Sequence, residues 1–235
     1  MNSKKLIVNA DDFGQSKGIN NGIIKAHEHG IVTSASLMVR YPAAMEAAQY
    51  SKKNDKLGIG LHIDLGEWIC KEGWWQALYE VVDLNDSTAV EEEIKNQLQS
   101  FYNIMGRPPT HIDSHQHLHL KEKVRPMFIQ LAKELNITLR RCSELVNYCG
   151  NFYGQCKDGS PFHQAISVNG LKDIMLKLPE GITELACHPG LNNDIETMYK
   201  HEREIEVNTL CDSSIKEAIS NCDIELCSFK NIPFS

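Results

Sequence analysis

No apolar run in the chain approaches the roughly 18 residues of a membrane span, and no Lys/Arg run or basic tract is present. The formal net charge of −7 works against a nucleic acid or an anionic membrane as partner, because either would demand a basic face. The eight cysteines contain no C-x-x-C pair and are scattered from Cys70 to Cys227. The opening Met1-Asn-Ser-Lys-Lys runs straight into the short apolar stretch Leu6–Ala10, without the long apolar segment and small-residue cleavage site of a secretory signal. Reduced thiols in a cytoplasmic protein are therefore expected. Internal repeats and low-complexity tracts are also missing. At 235 residues and 42% apolar, the chain suits one globular domain over 1–235 with a sizeable core.

What is present is an alternation of short apolar runs and amphipathic stretches. The strands expected are Leu6–Ala10, Ser34–Val39, Gly58–Ile63, Thr110–Asp113, Thr138–Arg141, Glu184–Cys187 and Glu225–Phe229. Helices are expected over Gly18–Glu28, Ala43–Lys52, Ala89–Met105, Glu122–Leu135, Gly170–Leu178 and Glu202–Ile219, the last divided by an N-cap at Asp212-Ser213-Ser214. Strands separated by helices imply parallel pairing with right-handed crossovers. An open doubly wound sheet and a closed or distorted barrel both satisfy this pattern. Asp64–Thr88, with Trp68, Trp74 and Trp75, and Asn147–Ser167, with Tyr148, Phe152, Tyr153 and Phe162, read as long irregular segments.

The chemistry-bearing residues gather at one kind of place. Asp11 and Asp12 follow the first strand, His62 closes the third and His115 lies just past the fourth. Arg140 and Arg141 end the fifth, and His188 follows the sixth. In parallel β/α folds the carboxyl ends of the strands share one face, where ligands and catalytic groups collect. Adjacent carboxylates such as Asp11 and Asp12 repel, a cost that a nearby cation removes. Successive side chains on extended backbone point opposite ways, so one metal takes one of the pair more easily than both. In His111-Ile-Asp-Ser-His115-Gln-His117-Leu-His119, four histidines alternate with other residues and would share a face with Asp113 if extended. His115, nearest the strand end, is the best ligand candidate; His117 and His119 extend toward substrate or toward the groups that support the ligands, and Asp113 could orient a ligand histidine. His188 precedes Pro189-Gly190, which fixes it in extended geometry at the rim.

Together these landmarks resemble the YdjC/ChbG family of carbohydrate deacetylases. Val8-Asn-Ala-Asp-Asp-Phe-Gly14, Gly60-Leu-His62, Thr110-His-Ile-Asp-Ser-His-Gln-His-Leu-His119 and Cys187-His-Pro-Gly190 are similar to its ordered motifs. The resemblance implies a distorted parallel (β/α) barrel of about seven strands, as in polysaccharide deacetylases, often as a homodimer. It implies one divalent metal cation, magnesium or zinc, held by Asp12, His62 and His115, with Asp11 as catalytic base. An N-acetylated saccharide such as a chitooligosaccharide is the implied substrate. His188 is the leading general acid for the departing amine, with His117 and His119 as fallback. Trp68 could stack on a sugar ring or anchor its own loop, and Arg140 could bind a polar substrate group or form an ion pair at the barrel rim. The competing readings are another mononuclear or dinuclear metal hydrolase on a β/α barrel, acting on cyclic amides or phosphoesters, and a catalytically silent metal- or sugar-binding protein.

Overall fold

A computed structural model describes residues 3–71, 73–191 and 194–232. Its central element is β1 (Lys4–Phe13), buried from Leu6 to Phe13. Around it run β2 (Ser34–Leu37), β3 (Gly58–Ile63), β6 (His111–Ser114), β7 (Thr138–Leu139), β8 (Val146–Cys149), β9 (Gly181–Cys187) and β10 (Ile224–Cys227). The sheet order is β7-β6-β3-β2-β1-β9-β8, with β10 paired to the first half of β1. Every pairing in this sheet is parallel. The path is the curled, open form of the distorted barrel that the family resemblance implies. All seven expected strands are present. The eighth, β8, comes from the Asn147–Ser167 segment read as irregular, where Val146–Cys149 pairs with Ile182–Leu185.

Helices cover the outer face: α1 (Lys17–Glu28), α2 (Ala44–Lys53), α3 (Ser87–Met105), α4 (Arg125–Leu135), α5 (Val168–Leu176), α6 (Glu202–Leu210) and α7 (Ser213–Asn221). Their ends follow from local chemistry. The side chains of Ser16, Asp86, Ser167 and Asp212 each accept a backbone N–H at a helix start, and Gly106 and Asn136 end α3 and α4 in the left-handed conformation. β3, with sheet neighbours on both edges and α3 behind it, is buried at all six positions. Phe101 of α3 and Phe128 of α4 are both fully buried in the same core as Leu37, Ile59 and Leu61. Among the described residues, no helix is long and apolar enough to cross a membrane.

The second segment read as irregular, Asp64–Thr88, contains an antiparallel hairpin of β4 (Gly66–Lys71) and β5 (Trp74–Glu80). Asp64 anchors its base. One carboxylate oxygen accepts from Arg40 Nη1 at 2.8 Å, and the other from the Gly66 N–H at 3.0 Å and the Tyr79 hydroxyl at 3.1 Å. The amide of Gln97 on α3 holds the Asp64 backbone on both sides. The hairpin thus stands on the carboxyl-end rim of the barrel.

Close packing also explains a glycine beside the site. A Cβ at Gly60 on β3 would fall on the imidazole of His111, which is itself hydrogen-bonded to Ser36 Oγ at 3.0 Å. Gly60→Ala is expected to destabilise the protein by about 1–3 kcal/mol, measured as a lower urea midpoint with unchanged slope.

Candidate active site

The end of β1 is where regular strand geometry breaks down. The register with β2 shifts between Ala10 and Phe13, and Asp12 takes φ 67°, in the left-handed region. Aspartate tolerates this conformation better than most residues, at a cost on the order of 1–2 kcal/mol. The kink has a chemical consequence. On a straight strand Asp11 and Asp12 would point to opposite faces, whereas here both buried carboxylates line one cavity.

Each aspartate meets a different set of partners. Asp11 Oδ1 accepts from Arg140 Nη1 at 2.6 Å, and Asp11 Oδ2 lies 3.7 Å from His188 Nε2. Asp12 Oδ1 lies 3.1 Å from His115 Nδ1 and 3.5 Å from His62 Nε2, while Asp12 Oδ2 accepts from Arg203 Nη2 at 2.7 Å. Burial alone would raise the Asp12 carboxyl, but Arg203, His115 and His62 hold it well below the ordinary carboxylate range. His62 is turned by its second nitrogen, since Nδ1 donates to Asp113 Oδ1 at 2.8 Å and leaves Nε2 facing Asp12. Burial acts to lower the pKa of His115, but its contacts with Asp12 and Glu67 push it up to about 9.

Asp12, His62 and His115 offer one ligand atom apiece within 4.8 Å of each other. Two atoms bound to one ion at about 2.0–2.2 Å stand about 3.0–3.5 Å apart, which the Asp12–His62 and Asp12–His115 separations match. This donor set fits a divalent cation. A second cluster, Asp11, His62 and Asp113, also converges, but Arg140 already donates to both of its carboxylates. The guanidinium fills the place a second cation would need.

The structure separates the other residues singled out in the sequence. Arg140 does not line the cavity. It is 1% exposed and donates to Asp11, Asp113 and Glu184, so of its two expected roles the ion pair is the one present, and the substrate-binding one is not. His119 is also fully buried away from the cavity. Its Nδ1 accepts the Ser114 N–H and its Nε2 meets the Arg140 carbonyl, which turns the expected substrate contact into a structural one. The expected alternation of histidines on extended backbone ends at Ser114. His115–Leu120 forms a 3-10 segment in which Gln116 and His117 are left-handed. His117 does line the cavity, 3.1 Å from the Tyr148 hydroxyl, and burial lowers its pKa to about 3. It and His119, lowered by burial to about 4, are neutral at neutral pH.

His188 forms one wall, and burial lowers its pKa as well. Trp68 forms another, held where Gln116 bonds both its backbone N–H and its carbonyl at 2.8 Å. The cavity measures about 690 Å³, with Tyr148, Tyr153 and Tyr199 on its walls and Lys121, Arg141 and Lys157 among its lining. Arg203, Glu206, Tyr199 and Glu67 were not singled out in the sequence. The stretch His201-Glu-Arg-Glu-Ile-Glu206 reads as a solvated charged face, yet Arg203 and Glu206 are buried.

Arg140 donates to three buried carboxylates at once. Replacement by methionine is expected to cost about 3–5 kcal/mol of stability, measured by urea denaturation.

The pattern of a family described as YdjC-like protein matches residues 5–221. The chain is 34% identical to a carbohydrate deacetylase of Clostridium beijerinckii, over 97% of this chain and 100% of that protein. It is 31% identical to a chitooligosaccharide deacetylase of Serratia marcescens, over 97% and 99%. A solved protein of Enterococcus faecalis superposes with TM-score 0.78 at 25% identity, over 98% of this chain and 99% of that one. A family 4 carbohydrate esterase of Streptomyces lividans shares the fold at TM-score 0.57 and 11% identity, over 96% and 91%.

Proposed function

The chain belongs to the YdjC-like family, and from that premise we propose that it is a metal-dependent deacetylase of N-acetylated saccharides. The observation that carries this reading is the division of the adjacent aspartates. Asp12 faces two imidazoles as a metal site would require, and Asp11 is left free of that set beside His188. A silent binding protein has no use for the second carboxylate. A dinuclear hydrolase is disfavoured by Arg140, which sits between Asp11 and Asp113.

Asp12 Oδ1, His62 and His115 would hold the ion, and two imidazoles with one carboxylate suit zinc better than magnesium. When bound, a divalent ion there supplies a Lewis acid for the acetamide carbonyl and makes water nucleophilic at neutral pH. Asp11, oriented by Arg140, accepts the proton as the water oxygen bonds to the acetyl carbon. His188 Nε2, 3.7 Å from Asp11 Oδ2, is placed to receive that proton and pass it to the sugar nitrogen as the C–N bond breaks. The low pKa that burial imposes on His188 makes it a ready donor once protonated. Acetate and a free amino sugar leave. Trp68 and the tyrosine walls offer aromatic faces to the apolar sides of sugar rings.

The test is acetate release from a panel of N-acetylated mono- and oligosaccharides, with and without chelator. Release that stops with chelator and returns with zinc or magnesium is expected. Release indifferent to chelator, or absent from every saccharide, contradicts the reading. Asp11→Asn should lose turnover while retaining near-normal metal content, and Asp12→Ala should lose both. Equal metal loss in the two variants sinks this division of roles.

A further inference from the structure

His188 lacks the usual means of holding an imidazole in place. A catalytic histidine is commonly turned by a hydrogen bond on its second ring nitrogen. His188 Nδ1 is buried and has no partner among the described residues. Its position must therefore come from its backbone and from the rings beside it.

Both ends of the residue are held by one turn of α6. The His188 N–H donates to Glu206 Oε2, and the His188 carbonyl accepts from Arg203 Nη1 at 3.2 Å. These residues are three apart on the helix and so share a face. The backbone carbonyl of Arg203 also accepts the Gly190 N–H at 3.2 Å, closing the grip around His188-Pro-Gly190.

The same two side chains continue outward. Arg203 Nη2 reaches Asp12 Oδ2 at 2.7 Å, so one guanidinium spans from the His188 backbone to the aspartate of the metal set. The second oxygen of Glu206 accepts the Tyr199 hydroxyl, and Tyr199 in turn accepts the Gly154 N–H at 2.8 Å. The Tyr199 ring lies 5.4 Å from the His188 ring and stacks on Tyr153 at 4.6 Å, and Tyr153 meets His188 edge-on at 5.6 Å. Glu206 is fully buried and Arg203 is 5% exposed. Two ionisable groups are thus taken out of water, Glu206 bonded to the His188 peptide and to the Tyr199 wall beside it, and Arg203 bonded to the His188 carbonyl and to Asp12.

We propose, resting on the deacetylase reading above, that Arg203 and Glu206 are positioning residues that clamp the His188 peptide from α6 and set its imidazole against Asp11. Glu206 fixes the peptide through its N–H and the flanking wall through Tyr199. Arg203 fixes the carbonyl and ties its distance to Asp12. Neither touches the reacting atoms in this role.

The test uses the full-length, zinc-loaded protein. Glu206→Gln preserves size, but its amide oxygen can satisfy only one of two donors, and its NH2 then opposes the other. Arg203→Lys preserves charge but lacks the planar fork that spans two acceptors. Each is expected to lower kcat by about 10²-fold with KM unchanged, since small misplacement of a catalytic group has that effect. Because both act on one peptide, the double variant should be no worse than the poorer single one. The ring ¹⁵N resonances of His188, assigned with His188→Gln, should shift in Glu206→Gln while zinc affinity by calorimetry stays within a factor of about three. Wild-type kcat with unmoved His188 resonances overturns the clamp. So do unmoved resonances accompanied by a loss of zinc affinity, which would mean that the change acts through the metal set. If wild-type protein releases no acetate, the deacetylase reading fails, and the resonances alone decide the clamp. Should one variant not fold, the other carries the same test.

Discussion

Two adjacent carboxylates, Asp11 and Asp12, lie buried at the end of β1, and the rest of the site is arranged around keeping them apart electrostatically. Like charges about 4 Å apart repel by about 4 kcal/mol at an effective dielectric of 20. The protein meets this with two cations from different directions. Arg140 approaches Asp11 from beneath, at the end of β7, and Arg203 approaches Asp12 from α6. Each aspartate retains a second oxygen for the cavity side, Asp11 toward His188 and Asp12 toward His62 and His115. The left-handed backbone at Asp12 is what places both on the same side.

This arrangement makes the architecture more than a support. The parallel sheet delivers Asp11, Asp12, His62, His115 and His188 because each lies at or just past a strand's carboxyl end. The elements outside the sheet supply what the strand ends lack. The hairpin of β4 and β5 contributes the aromatic wall and Glu67, which stands 3.8 Å from His115 Nε2. α6 contributes Arg203 and Glu206, whose side chains bond to the backbone of His188.

Positional rules make the parallel β/α series legible and put Asp12, His62 and His115 at strand ends, whereas the distorted barrel and the choice of those three as ligands rest on the family resemblance. Hydrophobic alternation marks strands, and the strand-end rule turns distant residues such as His62 and His115 into neighbours. Sequence reasoning fails where burial reverses the ordinary meaning of a residue. Arg140 was found at the right strand end, yet nothing in Leu139-Arg-Arg141 reveals that the first arginine turns inward to Asp11, Asp113 and Glu184 while Arg141 joins the cavity wall. Glu206 and Arg203 look like any charged helix face, since a buried ion differs from a solvated one only in its tertiary partners. His119 turns away from the cavity for a third reason. Positive φ at Gln116 and His117 breaks the period of two on which the alternating face depended, and neither residue is a glycine that would have signalled it. The strand Val146–Cys149 and the hairpin escaped because short strands within aromatic-rich, weakly patterned segments carry little periodicity.

In the proposed site Asp12, and not Asp11, joins His62 and His115 around a single ion. Crystals soaked in zinc and measured at the zinc absorption edge test it directly. One anomalous peak is expected, about 2.0–2.2 Å from Asp12 Oδ1, His62 Nε2 and His115 Nδ1. A peak between Asp11 and Asp113, a pair of peaks, or none at all in the cavity would contradict it.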